Sequence, residues 1–318
     1  MQKRTNLYLI LILLSLKSNS QNNTLYSQKE EIYGRKDGMA LTMVVTTPKK
    51  LNINRAIIYV ISGGYTSKYD WINDTTFKDI PNFTTMSLEY LKRGYTVFFV
   101  LPASTPGYSA NESVADIQKA VQHIRFYSKK YQIDPGHIGI TGASSGGNLS
   151  LLMGTIEAKS DKTSTQPILK VSSKVQAVAV FYPVTDMVNY RVENHPFIKD
   201  SFIVMGFKSM KLESALDFKE LNDSTNKYER ITGDERISAI LKRMSPIYFV
   251  DSTCAPTMIY HGDNDPVVPI QQSITFVEAL RSYKVPAKLL VKKGEGHGWN
   301  DMINDIKVFA DWFDEYLR

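Results

Sequence analysis

Short, mostly unbroken apolar runs recur along the chain and alternate with stretches of helical periodicity. Ala56–Ile61 (AIIYVI), Val97–Leu101 (VFFVL), His137–Thr141 (HIGIT), Val175–Phe181 (VQAVAVF), Thr257–Tyr260 (TMIY) and Ala287–Val291 (AKLLV) carry apolar residues at consecutive positions. That is the pattern of strands buried on both faces, as in a parallel sheet. Val114, Ile117, Val121 and Ile124 fall on one helical face, and Met302, Ile306, Phe309 and Phe313 do the same near the C-terminus, where Asn300 and Asp301 are candidate caps. Before the first buried strand, GRKDG at Gly34–Gly38 followed by MALTMVV predicts an antiparallel hairpin at the sheet edge. The alternation predicts an α/β fold with a mostly parallel central sheet and helices on both faces.

One stretch interrupts the alternation. Asn189–Lys242 is rich in charge and scattered aromatics and shows no clear buried strand. It is expected to be a mostly helical cap inserted over the C-terminal edge of the sheet, where open α/β sheets bind ligands and where long connections are usually functional. No internal repeat or linker divides the chain, so residues 21–318 are expected to form one catalytic domain. The first twenty residues read as an export signal: Lys3 and Arg4, an apolar stretch from Leu7 to Leu16, then Ser18-Asn19-Ser20 with cleavage expected after Ser20. Ten helical residues rise only about 15 Å against a hydrocarbon core of about 30 Å, which disfavours a membrane anchor. The mature protein is expected to be soluble, without a membrane span, and either secreted or periplasmic.

Composition narrows the chemistry. With 318 residues, 43% of them apolar and 22% charged, the chain is globular rather than disordered, collagenous or coiled. Its formal charge of +6 comes partly from Lys3, Arg4 and Lys17 in the leader. The remaining excess is too small and diffuse for a nucleic-acid surface, so no nucleic-acid partner is expected. The only cysteine, Cys254, can form no intramolecular disulfide, and no Cys/His cluster suggests a structural metal.

The candidate chemistry sits at strand ends. In HIGITGASSGGNLS, His137–Ser150, a strand runs into a tight turn and then a helix, with Gly142-x-Ser144-x-Gly146 at the corner. Ser144 is the candidate nucleophile, Ser145 a weaker rival; the bland alternative is a glycine-rich turn whose serine caps a helix. A serine hydroxyl needs a base within hydrogen-bond reach and an acid to orient that base. HGDNDPVVP follows the strand TMIY and GEGHGW follows AKLLV, so Asp265 and His297 leave the same end of a parallel sheet as Ser144. Of the other histidines, His123 is placed on the polar side of a helix, His137 opens a strand, His195 lies in the insertion, and His261 reads as a structural histidine ending a strand. Asp263 competes with Asp265, but Pro266 fixes a turn that can aim the Asp265 carboxylate. The Ser145 N–H, with Gly63 and Gly64 in Ile61-Ser62-Gly63-Gly64-Tyr65, is the candidate oxyanion hole.

Together these motifs resemble the α/β-hydrolase superfamily, in particular its exported esterase/lipase branch related to prolyl-oligopeptidase-type and carbohydrate-esterase enzymes. GASSGGNLS resembles the nucleophile elbow, HGDNDPVVP the acid loop, GEGHGW the histidine loop, and SPIYFV at Ser245–Val250 the segment returning from cap to sheet. The chain departs from the branch where its enzymes often carry His-Gly-Gly-Gly and it has Ile61-Ser62-Gly63-Gly64; Pro102–Pro106 also lacks the acidic-Tyr-Arg-Leu run of the hormone-sensitive-lipase-like group. The resemblance implies an α/β-hydrolase fold and a cofactor-independent serine carboxylesterase acting on a small-molecule or saccharide ester. A serine peptidase and a non-catalytic hydrolase-like binding module are the alternatives.

Overall fold

The structure is a computed structural model that describes residues 25–74, 82–103, 107–156, 160–222 and 224–318. The segment expected to be an export signal, residues 1–20, lies outside the described residues, as does Ser104–Pro106. The strands are β1 (Tyr26–Lys36), β2 (Met39–Pro48), β3 (Ala56–Val60), β4 (Thr96–Val100), β5 (Ile138–Ala143), β6 (Ala177–Phe181), β7 (Lys219–Asn222), β8 (Lys227–Arg230), β9 (Thr257–Gly262) and β10 (Ala287–Lys292). Among the described residues the main sheet has eight strands in the order β1-β2-β4-β3-β5-β6-β9-β10, while β7 and β8 pair apart from it.

Every neighbouring pair from β4 to β10 is parallel. The predicted apolar runs are these strands, with ends moved by a residue or two; β5 runs on to Ala143, against the turn that follows. The edge hairpin also forms, β1 against β2, its turn at Asp37 and Gly38 both at positive φ. The sheet is the α/β-hydrolase arrangement expected of the motifs.

Side chains alternate across each strand, so one sheet feeds two apolar layers. On one face Ile58, Val60, Ile140 and Val180 meet Ile117, Val121 and Ile124 of the helix Glu112–Phe126, Leu149 and Leu152 of the helix Ser145–Thr155, and Phe276 of the helix Gln271–Ser282. On the other, Ile57, Tyr59, Ala179 and Phe181 meet Ile306, Phe309 and Phe313 of the helix Met302–Tyr316. Asp301 occupies the N-cap of that last helix but makes no side-chain cap bond, its carboxylate lying 3.5 Å from Lys292 Nζ instead.

The inserted segment is less helical than its sequence suggested. It contains the helices Ser201–Ser209 and Asp234–Arg243, and between them the antiparallel ribbon β7–β8. The β8 strand is exposed throughout, so its residues had no burial to mark them as strand. Phe197, Ile203, Phe207, Ala215, Phe218, Ile231, Ile240 and Leu241 join the same apolar layer as the sheet's first face, so the insertion packs as part of the core.

Phe313 is fully buried, edge-on to Tyr90 at 5.8 Å, and fills the space where a Gly139 side chain would have to go. Phe313→Ala is therefore expected to lower stability by about 3–5 kcal/mol. Met205→Ala, at a side chain 70% exposed, should stay within about 0.5 kcal/mol. Urea denaturation of the two variants checks both values.

Candidate active site

The chain leaves β3 to pair β4 on one side of it, then crosses back to place β5 on the other. The direction of sheet growth reverses at β3, and such a reversal opens a crevice at the carboxyl ends of the strands. The loops leaving β3, β5, β6, β9 and β10 all meet there.

Ser144 stands between β5 and the helix Ser145–Thr155 at φ +54° and ψ −119°. A non-glycine residue held there costs on the order of 1–3 kcal/mol and persists only where its surroundings over-determine it. They do: the Ser144 N–H donates to the Phe181 carbonyl at 3.0 Å, and its own carbonyl accepts the Asn148 N–H at 2.9 Å. The corner closes because Gly142 and Gly146 have no side chains; a Cβ on Gly142 would lie 2.5 Å from the Gly146 carbonyl oxygen. The Ser144 hydroxyl makes no cap bond to the helix. It faces His297 instead.

His297 Nε2 lies 2.9 Å from Ser144 Oγ, and His297 Nδ1 lies 2.7 Å from Asp265 Oδ2. An ionised carboxylate can only accept, so Nδ1 carries the proton and Nε2 turns its lone pair to the serine. The histidine loop must cross back over strand ends to do this. It crosses β9 at Gly262, where a Cβ would lie 2.3 Å from the Glu295 carbonyl oxygen. Trp299 pins the far end of the loop by donating its Nε1–H to Asp305 Oδ2 at 2.7 Å. The imidazole also rests on the ring of Tyr182, the residue after β6, with centroids 4.4 Å apart.

Asp265 is aimed by its own turn: Oδ1 accepts the N–H groups of Val267 and Val268 at 2.8 and 2.9 Å, leaving Oδ2 for the histidine. Burial by itself would raise its pKa, but the hydrogen bonds from His261, His297 and the Val268 N–H outweigh that and hold the carboxyl well below the usual aspartate range. Asp263 has a different task, accepting the Gly294 N–H at 2.6 Å and so tying the acid loop to the histidine loop.

Ser144, His297 and Asp265 are thus joined in one hydrogen-bonded line. The profile of the BD-FAE family matches residues 43–280, more than half of the chain. The chain belongs to the BD-FAE family. This BD-FAE chain is also similar to two Mycobacterium tuberculosis proteins, "Probable carboxylic ester hydrolase LipM" (25% identical over 54% of this chain) and "Esterase LipQ" (29% over 53%). The match spans about a third, 34%, of the length of each. Among solved structures, a truncated form of carbohydrate esterase from gut microbiota superposes with a TM-score of 0.68 at 23% identity, covering 93% of this chain and 98% of the other. That likeness shows the shared fold.

Two sequence expectations need correction. Gly63 was expected to supply an oxyanion donor, but its N–H donates to the Thr66 carbonyl at 2.9 Å while Thr66 N–H returns a bond to the Gly63 carbonyl at 3.0 Å. The turn consumes that donor. The Gly64 N–H has no acceptor among the described residues, and the Ser145 N–H, first in its helix, has no intrahelical one. His123 is not on a polar face: it is 8% exposed, its Nε2 lying 3.2 Å from the Tyr131 hydroxyl, because the following turn folds back over it.

His261 is the structural histidine its position suggested. Its Nε2–H faces the Val268 carbonyl at 2.9 Å and its Nδ1 takes the Ser273 hydroxyl at 2.6 Å, leaving no nitrogen to act as a base. Sequence reasoning missed that the same imidazole stands 3.4 Å from Asp265 Oδ2, and it missed Tyr182 altogether. Both follow the apolar run of a strand directly, the one signal that could have marked them.

Two measurements test this architecture in the BD-FAE chain. Gly262→Ala should displace the Glu295–Gly296 backbone and slow fluorophosphonate labelling of Ser144 by about tenfold or more, in keeping with the sensitivity of reacting groups to small misplacements, with an unchanged far-ultraviolet circular dichroism spectrum. Asp265 has a depressed pKa in the folded state, so its contribution to stability is present above the ordinary value of 3.8 and is lost as pH falls through the lower folded value. The stability gap between wild type and Asp265→Asn, measured by urea denaturation, should therefore be constant at neutral pH and narrow below about pH 4.

Proposed function

We propose that this protein is a serine carboxylesterase working through an acyl-enzyme intermediate. The observation that carries the reading is the unbroken relay from Asp265 Oδ2 through His297 to Ser144 Oγ. In the first half-reaction Ser144 Oγ attacks the ester carbonyl carbon while His297 Nε2 takes its proton. The resulting imidazolium is held by the ionised Asp265, whose charge is already in place. The carbonyl oxygen becomes an oxyanion, for which the Ser145 and Gly64 N–H groups are the available donors. When the intermediate collapses, the C–O bond to the alcohol breaks and His297 returns the proton to the departing oxygen. A water molecule then attacks the acyl-enzyme with His297 again as base, releasing the acid and restoring Ser144.

This chemistry asks nothing of a cofactor, and the described residues hold no group of His, Cys, Asp and Glu arranged for a metal ion. The substrate proposed is a small-molecule or saccharide ester, short acyl groups on carbohydrate being the first to try, a choice supported by the fold shared with a carbohydrate esterase. Export through the N-terminal leader is part of the same proposal, resting on Lys3, Arg4 and the Leu7–Leu16 stretch. No helix among the described residues is long and apolar enough to cross a membrane.

Ser144→Ala and His297→Ala are each expected to cut turnover of a nitrophenyl ester by about six decades, and Asp265→Asn by about four. Full activity in Ser144→Ala would refute the assignment. Hydrolysis of aminoacyl anilides faster than of short nitrophenyl esters would replace the esterase with a peptidase on the same site.

A further inference from the structure

Of the N–H groups of Gly63, Gly64 and Tyr65 in the loop after β3, two are spent, and how the second is spent matters. Gly64 and Tyr65 sit at φ +57° and +60° between the mutually bonded Gly63 and Thr66, the backbone of a two-residue hairpin turn. The Tyr65 N–H donates to Ser145 Oγ at 3.1 Å. The same Oγ lies 2.9 Å from Ser62 Oγ, at the head of the turn. Both serines are buried, at 2% and 6% exposure for Ser145 and Ser62, and their hydroxyls partner each other. One turn further along the helix, Asn148 accepts the Tyr65 hydroxyl at 3.1 Å and donates to the Val184 and Met244 carbonyls, each at 2.9 Å. The turn is thus stitched to the helix that begins at the nucleophile. On its other side Leu212 of the insertion would lie 2.9 Å from a Cβ on Gly64, so the turn is also packed from above.

We infer that the Ser145 hydroxyl is a positioning residue for the oxyanion hole. The backbone N–H of Ser145 is one donor, and its side chain fixes where the other, Gly64, stands relative to it. A single residue sets the spacing of both donors, with Ser62 as the second anchor of the clamp. An oxyanion hole works only if its donors are preorganised at the position the oxyanion will occupy. The clamp therefore acts on the transition state and leaves ground-state binding alone. The inference rests on the esterase reading above and adds to it the residue that tunes the site.

The test is Ser145→Ala, which keeps the nucleophile and the backbone N–H and deletes only the hydroxyl. The expected result is a kcat reduced about 10–100-fold with KM within about threefold, somewhat less than deletion of a whole oxyanion donor. A trifluoromethyl ketone, which forms a tetrahedral adduct on Ser144, should lose affinity by the same factor as kcat/KM, while a carboxylate product should not. A clamp that merely held the fold together would lower the active fraction in a fluorophosphonate titration without moving these ratios. If Ser145→Ala does not fold, Ser62→Ala decides, with a loss of kcat and of ketone affinity in step expected at a few-fold. Either folded variant with kcat and ketone affinity within twofold of wild type overturns the inference while leaving the esterase reading intact. A wild-type protein that neither turns over esters nor is labelled at Ser144 removes that reading instead.

Discussion

Parallel pairing from β4 through β10 brings consecutive strand ends to one edge of the sheet, and the candidate site is a consequence of that register. Hydrogen-bonded strands stand about 4.8 Å apart, so β5 and β10, three strand spacings from each other in the sheet order, end about 14 Å apart. Ser144 leaves the first and His297 follows the second. Their contact at 2.9 Å exists because the β10 loop folds back across β9 and over Tyr182. Close backbone approach, more than any single polar contact, is what the site needs, and the glycines at its strand ends permit it.

The polar groups then complete what the backbone allows. A carboxyl with no exposed side-chain surface would ordinarily be pushed toward its neutral form, and a neutral Asp265 could not hold an imidazolium. Two backbone N–H groups on Oδ1 and two imidazoles facing Oδ2 keep it ionised. At Ser144 the strain of a positive φ is held by backbone bonds to β6 and to the elbow helix. Stability is given up at the corner and at the buried charge, and the two apolar layers on either face of the sheet supply it.

The insertion belongs to the same logic. Its ribbon β7–β8 contributes little to the core, but Phe207 and Leu212 reach the turn after β3, and Tyr190 donates its hydroxyl to the Val267 carbonyl beside the acid. The BD-FAE chain thus brings its most irregular segment against both the Gly64 turn and the Asp265 loop.

The apolar runs and their periodicity determined the buried strands and the two helical layers, because burial leaves a signature that needs no neighbour to interpret, and the turn signal at Gly34–Gly38 marked the edge hairpin, whose β1 is largely exposed. Gly-x-Ser-x-Gly after one such run, and Asp265 and His297 after two others, marked the candidate site for the same reason: strand ends of a parallel sheet share an edge. Besides Tyr182 and the approach of His261 to Asp265, three things escaped. A wet ribbon such as β8 has no buried face and so no pattern. His123 is covered by Tyr131, which no helical stripe could announce. Which glycine keeps a free N–H depended on the Gly63–Thr66 bonds and on Ser145, eighty residues from Tyr65 in the chain. Local pattern records whether a residue is buried; which donor meets which acceptor is decided only when distant segments are packed together.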